Sequence, residues 1–285
     1  MADTLTCSAD GSIPRLLYGT AWKKAATTTL VQTAIRLGFR GIDTACQPKH
    51  YDESGVGKAV AACLRGDRAA GGRLARAELY LQTKFTPLSG HDPARIPYDP
   101  AAPLPEQVRQ SFETSLRNLQ TNYVDGLLLH SPLPSAAQTL QVWQAMEALV
   151  DAGAVRHLGI SNCYRLELLR ALRDSARIKP TLVQNRFYAD TGYDREIRAF
   201  CRQQRIVYQS FWTLTANPHA LAHRTVAALA SMYRRTAPQI LFRYLTQAGV
   251  VPLTGTRSQA HMREDLSIFD FELSGPELEA MDALF

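Results

Sequence analysis

Residues 124–132 read VDGLLLHSP, an apolar run from Val124 to Leu129 that stops at a histidine, a serine and a proline. A short apolar run bounded by turn formers reads as a strand buried on both faces, as in a parallel sheet. The pattern recurs on either side. Leu16–Gly19 (LLYG), Phe39–Asp43 (FRGID) and Leu79–Thr83 (LYLQT) come before it. Val155–Ile160 (VRHLGI), Thr181–Gln184 (TLVQ), Ile206–Ser210 (IVYQS) and Val250–Leu253 (VVPL) come after. Between the runs the apolar residues take a helical period. Thr27–Leu37 sets Leu30, Val31, Ala34 and Ile35 on one face, and Leu140–Val150 does so with Val142, Met146, Leu149 and Val150. Glu53–Leu64, Leu104–Leu119, Tyr164–Ser175, Arg195–Gln204, Thr225–Arg235 and Gln239–Ala248 read as helices, as do His261–Ile268 and Glu277–Leu284.

Alternating strands and helices imply parallel βαβ units, and eight such strands close into a (β/α)8 TIM barrel. A doubly wound open sheet alternates in the same way. No GxGxxG turn follows any strand and no P-loop occurs, so that class lacks its phosphate fingerprint here. The 285 residues would suit two domains of about 150 residues or one barrel of about 250. With no Pro/Ser-rich linker, the expectation is one barrel domain over 1–285, with roughly residues 1–15 as lead-in.

Composition narrows the function. With 46% hydrophobic and 20% charged residues the chain reads as soluble and globular rather than disordered. The net charge of +6 is modest, and its one local enrichment, Arg65, Arg68, Arg73 and Arg76, reads as a solvated loop. It lacks the interleaved aromatics of a nucleic-acid surface. Five cysteines with no CxxC spacing read as reduced thiols in a cytoplasmic chain, not as a disulfide framework or zinc site. No signal peptide or membrane-length run is present. The expected partner is a small molecule, with no nucleic acid, no membrane and no metal, and the expected state is a monomer.

Polar residues cluster at the strand ends: Asp43, Lys84, His130, Ser161–Asn162, Gln184–Asn185, Ser210 and Thr254. Singly each has an ordinary structural explanation, such as a helix cap or a satisfied core histidine. Together they define one rim, where (β/α)8 barrels keep their chemistry. HExxH and GxSxG are absent, and no carboxylate pair suits glycoside hydrolysis. What remains is Lys84 with Asp43, His130 and the nearby Tyr51. A buried ammonium favours a phenolate and so lowers a tyrosine pKa, which would make Tyr51 a general acid for a carbonyl oxygen. His130 can orient the same oxygen. Hydride is left to a cofactor.

GFRGIDTA followed by YDESGVGKAV, then LQTKF, LLLHSPLP, VWQAMEALVDAGAVRHLGISN, LVQNRFY and PLTGTRSQAHMREDL resemble, in order, the landmarks of the aldo-keto reductase family. The resemblance runs from about Leu17 to Leu284. It implies a (β/α)8 barrel and NAD(P)H-dependent reduction of aldehydes or ketones to alcohols, with Asp43, Tyr51, Lys84 and His130 as the catalytic set. It also implies cofactor contacts. Ser161, Asn162 and Gln184 match the residues that bind the nicotinamide carboxamide. Gly19, Thr20 and Ala21 match the first strand's cofactor edge, and Ser210 matches a pyrophosphate contact. Thr254, Gly255, Thr256, Arg257, Glu264 and Asp265 lie where the family grips the adenosine half. Trp22 resembles a substrate-pocket aromatic, with His50 and Trp212 beside it.

Three departures stand out. Tyr51 lies eight residues after Asp43, farther than the family usually has it, and counting back from Glu53 and Val56 puts His50 in the tyrosine slot. Tyr51 has the matching chemistry. The family's stacking tyrosine is replaced by Gln209, so Phe211 or Trp212 would supply the plane. A lysine that often binds the 2′-phosphate is Leu253 here, and a downstream arginine is His261. Arg257 or Arg263 can replace them, so NADPH is the expected cofactor, with NADH as the alternative. The loop before Tyr51 and the missing tyrosine also fit a regulatory or sensor barrel with little turnover. A third reading makes Lys84 a Schiff-base lysine of an aldolase or pyridoxal-phosphate enzyme. Substrate choice is expected to reside in 213–224, Pro87–Pro103 and the C-terminal end. The stop at Phe285 is read as a missing flap and an open pocket tolerant of bulky substrates.

Overall fold

The computed structural model describes residues 4–7, 11–66 and 74–285. An antiparallel hairpin, β1 (Thr4–Cys7) and β2 (Gly11–Pro14), precedes the barrel. Eight parallel strands then close on themselves: β3 (Leu17–Gly19), β4 (Gly41–Asp43), β5 (Tyr80–Phe85), β6 (Val124–Leu129), β7 (Val155–Ser161), β8 (Leu182–Arg186), β9 (Val207–Phe211) and β10 (Val250–Thr254). Neighbours follow chain order, and β10 closes the ring against β3 with Leu253 opposite Leu17 and Thr254 opposite Tyr18. This is the expected (β/α)8 barrel.

The helices form where the 3.6-residue period placed them. They are α1 (Thr27–Leu37), α2 (Glu53–Arg65), α3 (Leu104–Leu119), α4 (Ala136–Asp151), α5 (Leu166–Ser175) and α6 (Arg195–Gln204). The short α7 (Pro218–Leu221) follows, then α8 (Arg224–Tyr233), α9 (Ala237–Gln247), α10 (Gln259–Leu266) and α11 (Gly275–Asp282). Side-chain caps set the starts that periodicity alone misplaces. The α4 helix begins at Ala136, because the Ser135 hydroxyl accepts from Gln138 N at 3.1 Å. Thr236 and Gln239 form a reciprocal capping box at the head of α9. Where α2 crosses α3, a Cβ on Gly57 would lie 2.0 Å from the Asn118 carbonyl oxygen, so only glycine permits that approach.

Two apolar layers result. The larger fills the space between strands and helices. The smaller lies inside the barrel at the strand starts and contains Leu17, Tyr80, Leu128, Leu182, Val207 and Val251. Ile13, fully buried, joins it from β2. The expected lead-in is therefore in part a plug for the N-terminal mouth, which leaves the C-terminal mouth as the open one.

Arg68 and Arg73 of the arginine-rich segment lie outside the described residues. Arg76 corrects the solvated-loop reading. Its guanidinium bonds Asp125 at 2.9 Å and stacks on Tyr123 with 4.1 Å from Cζ to the ring centroid. No described helix is long and apolar enough to cross a membrane.

Candidate active site

The C-terminal mouth opens into a cavity of about 1010 Å³ lined from six of the eight barrel strands, from His130 just after β6, and from α9 and α10. β5 runs two residues farther than its apolar pattern, so Lys84 stands inside the strand and its side chain lies beneath the cavity wall, 1% exposed. Its Nζ donates to Asp43 Oδ1 and Oδ2, both at 2.7 Å, and to the Thr44 carbonyl at 2.8 Å. A Schiff-base lysine must reach a carbonyl carbon, and this one has all three protons committed below the surface.

Asp43 is held from several directions. The Thr20 amide and hydroxyl both bond its carbonyl, at 3.0 and 2.9 Å. Its Oδ1 also accepts from Gln82 Nε2 at 2.7 Å and Gln184 Nε2 at 2.9 Å. Both amides donate to Gln209 Oε1 as well, at 2.9 Å each, and Gln209 Nε2 returns a bond to Gln82 Oε1 at 3.0 Å. Gly126 makes room for this floor, since a Cβ there would fall 2.7 Å from the Tyr80 hydroxyl and 3.0 Å from Gln82.

Tyr51 and His50 sit on the loop between β4 and α2, where the Gln47 carbonyl accepts from both of their amides. Their rings go different ways. His50 lies against Trp22 at the mouth, ring centroids 4.0 Å apart. Tyr51 faces His130 edge-on at 6.0 Å, and Lys84 Nζ lies 5.4 Å from its ring centroid. Tyr51 therefore makes the ring contacts with Lys84 and His130, and the ring contact of His50 is with Trp22. The expected lowering of the Tyr51 pKa is corrected: burial, and then the Asp43 carboxylate, push its phenol above the ordinary tyrosine value. With the lysine's protons bound to Asp43 and Thr44, no direct contact draws the phenol down. The Tyr51 phenol therefore keeps its proton throughout the neutral range. Burial and the Lys84 charge hold His130 well below the usual histidine value, so its ring is neutral. Its Nδ1 lies 2.7 Å from the Thr86 hydroxyl.

Ser161, Asn162 and Gln184 line the cavity together. Asn162 Nδ2 donates to the His130 carbonyl at 2.8 Å, and the Ser161 hydroxyl donates to the Gln184 carbonyl at 2.7 Å. These bonds link the ends of β7 and β8 to the histidine. Gly19, Ala21, Trp22, Phe211 and Trp212 also line the cavity, as do Leu253, Thr254, Gly255 and Thr256. His261, Glu264 and Asp265 extend it along α10. Burial pushes the Asp265 carboxyl up to about 6, although it accepts from the Thr254 hydroxyl at 2.7 Å.

Several expected cofactor contacts fall elsewhere. Gln209 is fully buried in the floor network, and Thr20 is committed to Asp43. The Ser210 hydroxyl is paired with Thr213 at 2.9 Å. Arg257 is exposed outside the lining. Sequence reading in turn passed over Lys23 and Arg186, both of which line the cavity. Lys23 is 4% exposed, and its Nζ donates to the Gly255 carbonyl. Burial, reinforced by Arg257, pushes its pKa down to about 8. The signal for Lys23 was its place directly after Gly19–Trp22. Among the rim residues, Trp22, Asn162 and Trp212 carry φ of 62°, 53° and 56°, a left-handed conformation that non-glycine residues hold only under constraint.

The cavity sets the polar trio Ser161, Asn162 and Gln184, two cations, Lys23 and Arg186, and a polar strip along α10 around one space, a set that suits a dinucleotide. Fold and site define a nicotinamide-dependent carbonyl reductase on a (β/α)8 barrel. The chain belongs to the aldo/keto reductase family, whose model matches residues 17–285. It is 29% identical over 279 residues to the methylglyoxal reductase DkgA of Yersinia pestis, covering 96% of this chain and 90% of that protein. It is 30% identical over 258 residues to a glyoxal reductase of Bacillus subtilis, covering 90% and 83%. A solved aldo/keto reductase from Brucella melitensis superposes with a TM-score of 0.82 at 28% identity, over the whole of both chains.

Proposed function

We propose that the chain reduces a small aldehyde or ketone with NADPH, and that Tyr51 gives the proton. The supporting observation is the placement of Tyr51 against both Lys84 and His130, with His50 turned away onto Trp22. When bound, the reduced nicotinamide supplies the hydride. Ser161, Asn162 and Gln184 would hold its carboxamide; the Gln184 amide nitrogen is spent on Asp43 and Gln209, leaving its Oε1 to accept. His130 Nδ1 lies 2.7 Å from the Thr86 hydroxyl; in this reading the hydroxyl donates to Nδ1, and the proton on Nε2 donates to the substrate oxygen and orients it. Tyr51 protonates that oxygen as negative charge develops on it. The Lys84 ammonium offsets the phenolate left behind, and Asp43 fixes that ammonium in place.

NADPH is favoured over NADH by positive charge around the β10 loop, where Lys23 lines the cavity and Arg257 acts on it. The names of the Yersinia and Bacillus relatives point to small dicarbonyl aldehydes as first substrates. A cytoplasmic monomer fits two features. Cys46, Cys163 and Cys201 are free thiols, and all three, like Cys63, are buried. Of the four exposed large apolar side chains among the described residues, Trp22 and Trp212 belong to the cavity mouth, and Leu88 and Met232 lie elsewhere. The test is NADPH and NADH consumption with methylglyoxal, glyoxal and a panel of larger carbonyls. Turnover with NADPH is expected; binding of NADPH without turnover of any carbonyl would replace this reading with the sensor alternative.

A further inference from the structure

Arg186, the last residue of β8, is a half-buried cation that differs from Lys84 and Arg76 in its partners. Lys84 has Asp43 and Arg76 has Asp125, each at hydrogen-bond distance. Arg186 forms no ion pair with a described residue, and its buried Nε has no hydrogen-bond partner. Aromatic rings hold it instead. Its Cζ lies 4.1 Å from the Trp212 ring centroid and 5.0 Å from that of Tyr188. Both Arg186 and Trp212 line the cavity. Trp212 is half exposed and keeps a left-handed φ of 56°.

A partly desolvated guanidinium without an anion is costly. Stacking on an indole fixes its plane while leaving the edge N–H groups free to form a bidentate pair. Topology places the edge. Counted around the barrel, β8 lies four strands from β4, so Arg186 stands across the mouth from Tyr51, which follows β4. Lys23, held to Gly255 after β10, borders the same sector from the other side of β9 and β10. The two cations bracket the strand ends that carry Trp212–Thr215 and Thr254–Thr256.

We propose that Arg186 is an oxyanion receptor in the cavity wall, oriented by Trp212, and that it takes a phosphate or carboxylate of a bound molecule. Its position opposite the proton donor favours the cofactor diphosphate as the source. A carboxylate on the carbonyl substrate offers the same chemistry. The assignment of the diphosphate rests on the proposed NADPH-dependent reaction; the receptor itself does not.

The experiment compares wild type with Arg186→Gln and Arg186→Lys in three arms. These are thermal stabilisation by inorganic pyrophosphate, NADPH affinity by fluorescence titration, and kcat/KM for acidic against neutral carbonyls. Arg186→Gln is expected to lose the pyrophosphate shift and weaken NADPH about tenfold, with Arg186→Lys in between and the acid-to-neutral ratio unchanged. Intact NADPH affinity with a collapsed acid-to-neutral ratio would establish the receptor and move its anion to the substrate. All three readouts within about twofold of wild type would overturn the proposal. If Arg186→Gln does not fold, the Lys variant carries the same comparison. If wild type binds pyrophosphate through Arg186 but reduces no carbonyl, the receptor stands and the proposed reaction falls.

Discussion

Lys84 Nζ lies 5.4 Å from the Tyr51 ring centroid while its three protons point to Asp43 and Thr44. The lysine therefore sits under the tyrosine as a fixed positive charge, not as a hydrogen-bond partner. Its effect is felt when the phenol loses its proton, and the resting phenol keeps that proton.

The first prediction concerns pH. Tyr51 is raised above the usual tyrosine value and His130 is depressed well below the usual histidine value. For reduction the acid must be protonated and the histidine neutral, and both conditions hold across neutrality. At saturating cofactor and substrate, kcat for reduction should be level from about pH 6 to 9. Alcohol oxidation, which needs the phenolate, should climb through the alkaline range. A limb in the reductive profile near the free histidine value would show that His130 titrates in the working enzyme.

Lys23 should make cofactor affinity pH-dependent. Its free-state pKa is pushed down to about 8, and a bound phosphate anion favours the charged form. The charge is present below that value and is lost above it in the free protein, so NADPH affinity should fall as pH rises past about 8. Lys23→Met should raise the NADPH Kd by about tenfold at pH 7 and flatten its pH dependence. Fluorescence titration across pH checks both.

Gln209 is a structural floor in the position where the family resemblance places a stacking ring. Gln209→Leu removes the acceptor of the Gln82 and Gln184 amides and leaves Gln82 Oε1 with one donor fewer. Urea denaturation should show a loss of about 1–3 kcal/mol, and kcat should drop because both amides also position Asp43. Unchanged kcat with lowered stability would confine Gln209 to a packing role.

Glu53 is a buried carboxylate that accepts from the Ser115 hydroxyl at 2.8 Å and Asn118 Nδ2 at 3.2 Å, and also from Thr83. It ties α2, the helix that follows the Tyr51 loop, to α3 and β5. Glu53→Ala strands those donors and should cost about 3 kcal/mol in denaturant unfolding. A loss near zero would mean that the three donors find new partners on relaxation.

The strand ends explain how much was legible beforehand. Asp43, His130, Ser161 and Gln184 each break an apolar run, and a polar group in that position must face the mouth or find a partner, so sequence alone marks them. The choice of Tyr51 over His50 is open by spacing, and ring placement in the loop after β4 favours Tyr51. Ser210 and Gln209 look the same in sequence as their neighbours at the mouth, yet one bonds Thr213 and the other lies inside the barrel. Which way a strand-end side chain turns depends on partners contributed from distant strands. Arg186 was missed because β8 extends past its apolar run. The hairpin plug was missed because Ile13 gains its meaning only from the barrel interior it fills.

The central claim is that Tyr51 delivers the proton. Tyr51→Phe keeps the ring and its edge-on contact with His130 and removes only the hydroxyl. Turnover of methylglyoxal at saturating NADPH should fall by about 10²–10⁴-fold, with the NADPH Kd within about twofold of wild type. Undiminished reduction by Tyr51→Phe would contradict the account and shift the proton to another group, His50 first.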